Sequence, residues 1–213
     1  MNVTVFGATG AIGRLAVAEL LERGDAVTVH ARNPAKIPAG WDGKVRVVVG
    51  EVTDPASIEE AVAGAEVVVS ALGPSMDKNA TGFPLVDGVR LITDAMRRHG
   101  IRRYIGHGTP SIPDPHERRT FQTRLIRFMG SRFLTRAYQE LVGMSDLIMT
   151  DDLDWTIVRF TAPKDGPTKE SLRVGFYGRD RIGFAVTRAD IAAFTAAQVH
   201  DDRYIKRAPA ISN

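Results

Sequence analysis

The stretch Val3-Thr4-Val5-Phe6-Gly7-Ala8-Thr9-Gly10-Ala11-Ile12-Gly13-Arg14 constrains the fold of this chain more than any other. Val3, Val5 and Phe6 read as a short buried strand, and Leu15, Ala16, Val17, Leu20 and Leu21 recur at helical spacing directly after the last glycine. The glycines at 7, 10 and 13 therefore fall in the turn between a strand and a helix. Each has its own reason to be there. Gly7 lets the chain leave the strand sharply, Gly10 has no Cβ to hold a phosphate away, and Gly13 lets the helix lie close to the sheet. The helix start then offers unpaired N–H groups and the positive end of its dipole to an anion. With Thr9, Ala11 and Ile12, the three glycines form a candidate pyrophosphate loop.

The rest of the chain extends this unit. Ala26–His30, Val45–Val49, Glu66–Ser70, Arg103–His107 and Trp155–Phe160 read as further strands, and near-continuous valine, as in Val67-Val68-Val69, marks strands buried on both faces. Between them, Asp54-Pro55 has the form of a helix N-cap with proline at the first turn. Val86, Val89, Ile92, Ala95 and Met96 give the next helix its apolar face, which Gly100 ends. Thr187 caps a last helix over Ala189–His200, and a long helical stretch is expected over roughly residues 117–150. Residues 161–184 read as loops and short strands. Alternating strands and helices with short loops predict an α/β fold: a single Rossmann-like doubly wound parallel sheet with helices on both faces.

A length of 213 residues suits one domain over 1–213, with a nucleotide-binding half over 1–110 and a substrate-pocket half over 111–213. The absence of cysteine excludes disulfides, thiolate metal sites and cysteine nucleophiles. Histidines 30, 99, 107, 116 and 200 are dispersed with no H-x-x-x-H spacing, so no metal site is expected. No apolar run approaches the ~18 residues of a membrane span, and the chain opens on a strand rather than a signal-like segment. The expectation is a cytoplasmic enzyme, monomer or homodimer, with a small-molecule substrate and neither nucleic acid nor membrane as partner. The formal charge of +3 is too mild to argue otherwise.

Several segments together carry a resemblance. Val5-Phe6-Gly7-Ala8-Thr9-Gly10-Ala11-Ile12-Gly13, His30-Ala31-Arg32-Asn33-Pro34-Ala35-Lys36, Gly50-Glu51-Val52-Thr53-Asp54, Val69-Ser70-Ala71-Leu72-Gly73, Leu153–Arg159 and Thr187–Ala192 occur in an order that spans almost the whole chain. The sequence resembles the atypical short-chain dehydrogenase/reductases, specifically the NAD(P)H-binding reductases similar to flavin reductase and biliverdin reductase B. The resemblance implies that Val52 packs on the adenine of a dinucleotide and that Glu51 accepts from its amino group.

Arg32 follows the second strand, where dinucleotide sites read the adenosine ribose. An acid there accepts from the 2′-hydroxyl of NAD, whereas an arginine forms charge-assisted bonds to a 2′-phosphate, so NADP is the expected cofactor, with Asn33 and Lys36 assisting. Ala71, Leu72 and Gly73 end the fourth strand, where small residues let the ribose and nicotinamide approach the backbone. His107 ends the fifth strand beside the expected nicotinamide, either polarising a substrate oxygen or bonded within the protein. The ordinary short-chain dehydrogenases use a Ser, a Tyr and a Lys four residues after the Tyr. Here Tyr138 is followed at that spacing by Val142, and Thr109 and Ser111 stand where the serine is expected. Thr109 is the favoured hydroxyl donor. Arg118, Arg119, Arg124, Arg127, Arg132 and Arg136 are interleaved with Phe121, Leu125, Phe128, Met129, Phe133 and Leu134. This segment reads either as a packed helix with a basic edge or as a lid over an anionic substrate, a subunit interface, or a membrane-surface or nucleic-acid contact. The lid is favoured among the contact readings. The function expected is an NADPH-dependent oxidoreductase passing hydride to a small planar or carbonyl acceptor, with a non-catalytic NADP sensor or an epimerase-like enzyme as alternatives.

Overall fold

In the computed structural model all residues are described except 76, 78, 80, 115, 116, 118–120, 122, 123, 126, 127, 129–131, 133, 134 and 151, and the side chain of 135. Six parallel strands make up one side of an eight-stranded sheet, from its edge at β3 inward: β1 (Asn2–Phe6), β2 (Ala26–Ala31), β3 (Val45–Val49), β4 (Val67–Ser70), β5 (Arg103–Gly108) and β6 (Asp154–Arg159). A two-residue ladder joins β7 (Pro163–Lys164) to β9 (Val186–Thr187), while β8 (Arg173–Gly175) and β10 (Ala210–Ser212) extend the main sheet. The order across it is β3-β2-β1-β4-β5-β6-β10-β8, so the winding reverses between β1 and β4. In an open parallel sheet that reversal leaves a crevice at the carboxyl ends of the strands.

Side chains alternate across the sheet, and each face has its own core. Val3, Val5, Val67, Val69 and Ile105 pack beneath α1 (Ala11–Glu22) and α5 (Arg188–Ala197), which lie against each other. Phe6, Val68 and Tyr104 face the other way, under α2 (Pro55–Val62), α3 (Pro84–Arg98) and α4 (Thr135–Thr150). These two layers bear out the expected doubly wound α/β fold.

Local chemistry accounts for the helix starts. Asp54 accepts from Ala56 N–H with Pro55 at the first turn of α2, and Thr187 accepts from Asp190 N–H at the start of α5. No full helix links β2 to β3. Two short 3₁₀ turns, Pro34–Lys36 and Ala39–Trp41, take its place, the first capped by Asn33. The helical stretch expected over 117–150 is described as a continuous helix from Thr135, with helical backbone also at Phe121, Arg124, Leu125, Phe128 and Arg132, and it runs unbroken through Gly143. There the missing side chain lets α4 approach α3, because a Cβ would stand 3.0 Å from Val86 Cγ2. The other expected break, Gly130, lies outside the described residues, as do Arg118, Arg119, Arg127, Met129, Phe133 and Leu134.

Beyond β6, the sequence suggested loops and short strands over 161–184 and then a helix, but no strand after it; β10 follows that helix and pairs with β6 in parallel and with β8 antiparallel. Arg159, wholly buried at the end of β6, donates to the Ile112 carbonyl (2.8 Å) and to Glu117 (2.9 Å), and Glu117 also accepts from Tyr177 N–H (2.9 Å). This buried ion pair anchors the chain leaving β5 to the end of the sheet. Its charges are tolerated there because each meets several partners.

Candidate functional site: a cleft at the sheet reversal

A cleft of about 480 Å³ opens over the carboxyl ends of β1, β2, β3 and β4. Its floor is the glycine loop. Gly7 has φ +73°, and a Cβ there would lie 2.7–2.9 Å from the backbone of Ala71 and Leu72, so only glycine lets the end of β1 sit against the end of β4. Gly10 begins α1 without any side-chain cap, and a Cβ on it would meet only the Gly7 carbonyl oxygen, at 3.2 Å. The Gly10 position therefore puts no side chain on the first N–H groups of the helix, whose start borders the cleft. Gly13 acts differently from the sequence expectation of helix-to-sheet packing. A Cβ there would stand 2.2 Å from the Gly7 carbonyl oxygen, so this glycine lets the helix close onto its own loop.

Around that floor the cleft is lined by Thr9, Arg32, Glu51, Val52, Ala71, Leu72 and Gly73, together with Gly7 and Gly10. Residues far apart in sequence thus meet in one place. Arg32, the first residue after β2, is exposed and has no ion-pair partner among the described residues. Val52 packs on α3 where Gly88 leaves room, since a Cβ on Gly88 would be 2.4 Å from Val52 Cγ2. Other sequence candidates lie outside the lining. Ala11 is exposed in a neighbouring groove with Arg14 and Trp41, Ile12 packs against the core, and Gly13 is buried. Asn33 accepts from Ala35 N–H (2.9 Å), so its side-chain oxygen is committed to capping the 3₁₀ turn.

His30, which sequence reasoning did not single out, forms part of the wall. Ser57 Oγ donates to backbone oxygens of the loop, so His30 Nε2–H donates to Ser57 Oγ (3.1 Å). Burial lowers the His30 pKa against the opposing pull of Asp54 and Glu51.

The far wall comes from α4. Arg136 and Glu140, four residues apart and hence on one helix face, both line the cleft. Glu140, 1% exposed, accepts from Leu85 N–H (2.9 Å) and from Arg136 Nη1 (3.2 Å). Arg136 also donates to the carbonyls of Ser75 (2.6 Å) and Gly82 (3.2 Å), which draws the two ends of the β4–α3 loop together. Tyr138 lies two residues from each, about 200° around the helix, and does not line the cleft. A sequence signal for this pair existed in the i,i+4 spacing of opposite charges, but it does not say which face of α4 meets the cleft.

Thr109, Ser111 and His107 stand just beyond the cleft, at the end of β5. The Thr109 and Ser111 hydroxyls bond to each other (2.5 Å), and Ser111 is buried. His107 Nε2 lies 3.0 Å from Thr195 Oγ1, whose own proton goes to the Ile191 carbonyl (2.6 Å). The imidazole must therefore donate to Thr195, leaving Nδ1 as the acceptor. Desolvation pushes its pKa down to about 4, so it is neutral near pH 7. Phe160 meets the ring edge-on at 5.4 Å. The N–H of His107 is thus committed inside the protein. Of the described residues of the arginine-rich segment, Arg136 lines the cleft. Among the described residues no group of acids and histidines could hold a metal ion.

Comparison with known proteins fits this geometry. A family model described as NAD(P)H-binding matches residues 7–202. The ceramide reductase of Caulobacter vibrioides is 33% identical over 102 residues, which make up 47% of this chain and 32% of that protein. The chain spans about a third of the length of the curated relatives it matches. A short-chain dehydrogenase/reductase (wide type) from Veillonella parvula in complex with NADP superposes with a TM-score of 0.78 at 22% identity, over 100% of this chain and 94% of that one. ChuY, an anaerobillin reductase from Escherichia coli, does so with a TM-score of 0.79 at 18% identity, over 99% and 96%. At such identities the structural likeness is one of fold. The family match begins in the glycine loop at the end of β1 and runs through β2, β3 and β4, and this chain belongs to the NAD(P)H-binding family.

Proposed function

We propose that the protein is an NADPH-dependent oxidoreductase that passes a hydride to a small planar or carbonyl acceptor, with a flavin-like or quinone-like molecule as the nearest chemical class. The observation that carries the cofactor part is Arg32. It is a cation without an ion-pair partner among the described residues, on the rim of a cleft whose floor is an uncapped helix N-terminus. The residues fit a dinucleotide phosphate. Gly10 leaves space where a side chain would intrude, the first turn of α1 offers N–H donors, and Arg32 can neutralise a 2′-phosphate where an acid would repel it. The hydride part draws support from relatives named as a ceramide reductase and an anaerobillin reductase, and from a neighbour that holds NADP.

When bound, NADPH supplies the hydride. The chain's own share is binding, orientation and proton delivery. Glu51 and Val52 offer an acceptor and an apolar surface to the adenine, while Ala71, Leu72 and Gly73 keep the end of β4 low enough for the ribose to approach. Thr109 Oγ1, hydrogen-bonded to Ser111, is the group assigned to hand a proton to the acceptor oxygen or nitrogen and to regain it from solvent. His107, neutral with its N–H committed to Thr195, orients the end of β5 rather than donating.

A second reading, a sensor that binds NADP without turning it over, is favoured by one observation: α4 presents Arg136 and Glu140 to the cleft and carries Val142 where a lysine partner of Tyr138 would stand. Single-turnover mixing with NADPH and a panel of flavins, quinones and aldehydes divides the two readings. Loss of nicotinamide absorbance above background with any acceptor supports the reductase. Tight NADPH binding with no oxidation across the panel supports the sensor.

A further inference from the structure

From residue 118 to residue 139 the chain holds six arginines and not one acid. The acids that bracket this run are both occupied: Glu117 holds buried Arg159, and Glu140 holds Arg136 and Leu85 N–H. Within the run, the described residues Phe121, Arg124, Leu125, Phe128 and Arg132 have helical backbone. Phe121, Leu125 and Phe128 recur at intervals of four and three, which sets them on one helix face. They are 82%, 47% and 61% exposed, and the two phenylalanines are among the most exposed large apolar side chains of the molecule. Arg124 and Arg132 are exposed beside them, without ion-pair partners among the described residues.

Exposed aromatic and aliphatic side chains set among arginines, with no acid in the run, have the pattern of a helix that lies in a bilayer interface: rings enter the acyl boundary and guanidinium groups meet anionic headgroups. We infer that this face docks the protein peripherally on an anionic lipid bilayer. The charge pattern selects among occupants. A second copy would set one arginine run against another, and a nucleic acid would engage the arginines while leaving Leu125 without an apolar partner. No helix among the described residues is long and apolar enough to cross a membrane, so the contact lies on the surface. The inference departs from the sequence expectation of a protein without a membrane partner, and it rests on the exposure of Phe121 and Phe128.

The test is co-sedimentation of the full chain with phosphatidylcholine vesicles, with and without a third phosphatidylglycerol, at low and high salt. Two double variants accompany it, Phe121→Ser with Phe128→Ser and Arg124→Glu with Arg132→Glu, each checked for unaltered thermal unfolding. Binding that requires the anionic lipid, weakens with salt, and falls at least about tenfold in both variants is the expected result. Three results would overturn the inference: no binding to either vesicle, binding that survives both variants, or a dimer by light scattering that the phenylalanine variant splits. A DNA mobility shift abolished by the arginine variant, with no vesicle binding, would assign the face to nucleic acid instead.

Discussion

A methyl group added at position 13 and one added at position 10 should have opposite effects on this protein. In Gly13→Ala the new Cβ would stand 2.2 Å from the Gly7 carbonyl oxygen, 2.9 Å from its carbon and 3.0 Å from Ala8 Cα. All three are backbone atoms, so no rotamer change relieves the clash. Alanine's better helix propensity returns up to about 1 kcal/mol, but forcing the loop away from α1 costs roughly 1–3 kcal/mol or more. The net expectation is a destabilisation of about 1–2 kcal/mol, lowering Tm by roughly 2–4 °C for each kcal/mol. Gly10 is the reverse case. Its φ of −75° and ψ of 167° suit any residue, and a Cβ would meet only one oxygen at 3.2 Å. Gly10→Ala and Gly10→Val should therefore cost no more than about 1 kcal/mol of stability, the loss of a good N-cap residue. Yet the side chain would occupy the space above the N-terminus of α1 where a phosphate must approach. We expect Gly10→Val to weaken NADPH at least about a hundredfold, equivalent to roughly 2.7 kcal/mol. Thermal unfolding and titration calorimetry on the same preparations measure both effects. Full NADPH affinity in Gly10→Val, or unchanged Tm in Gly13→Ala, would refute this account of the loop.

Other expectations follow from the walls of the site. Arg136→Ala leaves the buried Glu140 carboxylate with only Leu85 N–H and frees the carbonyls of Ser75 and Gly82, so stability should fall by roughly 3 kcal/mol in denaturant unfolding, whereas Arg136→Lys should recover part of it. Tyr138→Phe should reduce turnover of any accepted substrate by less than about tenfold, because its position lies about 200° from the cleft-facing pair on α4; Thr109→Val should reduce it more. A thousandfold loss in Tyr138→Phe alone would contradict that assignment. His107 binds a proton near pH 6.5 when unfolded but only near pH 4 when folded. The unfolded state therefore holds more protons between those values, and the His107 contribution is complete above pH 6.5 and lost as pH falls toward 4. Denaturant midpoints should drop across that window, and His107→Gln should flatten part of the drop; His30, shifted the same way by burial, contributes to the remainder.

The fold was legible where local chemistry decides structure. Runs such as Val67-Val68-Val69 have no stable alternative to a strand buried on both faces, and Asp54-Pro55 and Thr187 fix helix starts through their own side chains. The three-residue strand β10 was not legible, because its place is set by β6 and β8 rather than by Ala210-Ile211-Ser212 themselves. Arg159 was equally opaque: a charged residue at a strand end reads as exposed until Glu117 and the Ile112 carbonyl are seen to enclose it. Of the candidate site, the glycine loop and the ends of β2, β3 and β4 could be gathered from sequence, since strand order fixes which carboxyl ends are neighbours. The α4 wall could not. Helical periodicity relates Arg136 to Glu140 and Tyr138 to Val142 equally well, and only packing against α3 selects which pair faces the cleft.

Cofactor choice at Arg32 tests the central claim most directly. The decisive measurement is titration calorimetry of the unaltered protein with NADPH and NADH, repeated with Arg32→Glu. One charge-assisted contact is worth about 1.5–3 kcal/mol, toward the lower end for an exposed arginine screened by salt, so NADPH should bind roughly ten- to a hundredfold more tightly and the variant should reverse the order. Equal affinity for the two cofactors in the unaltered protein, or a preference that Arg32→Glu leaves in place, would contradict the account.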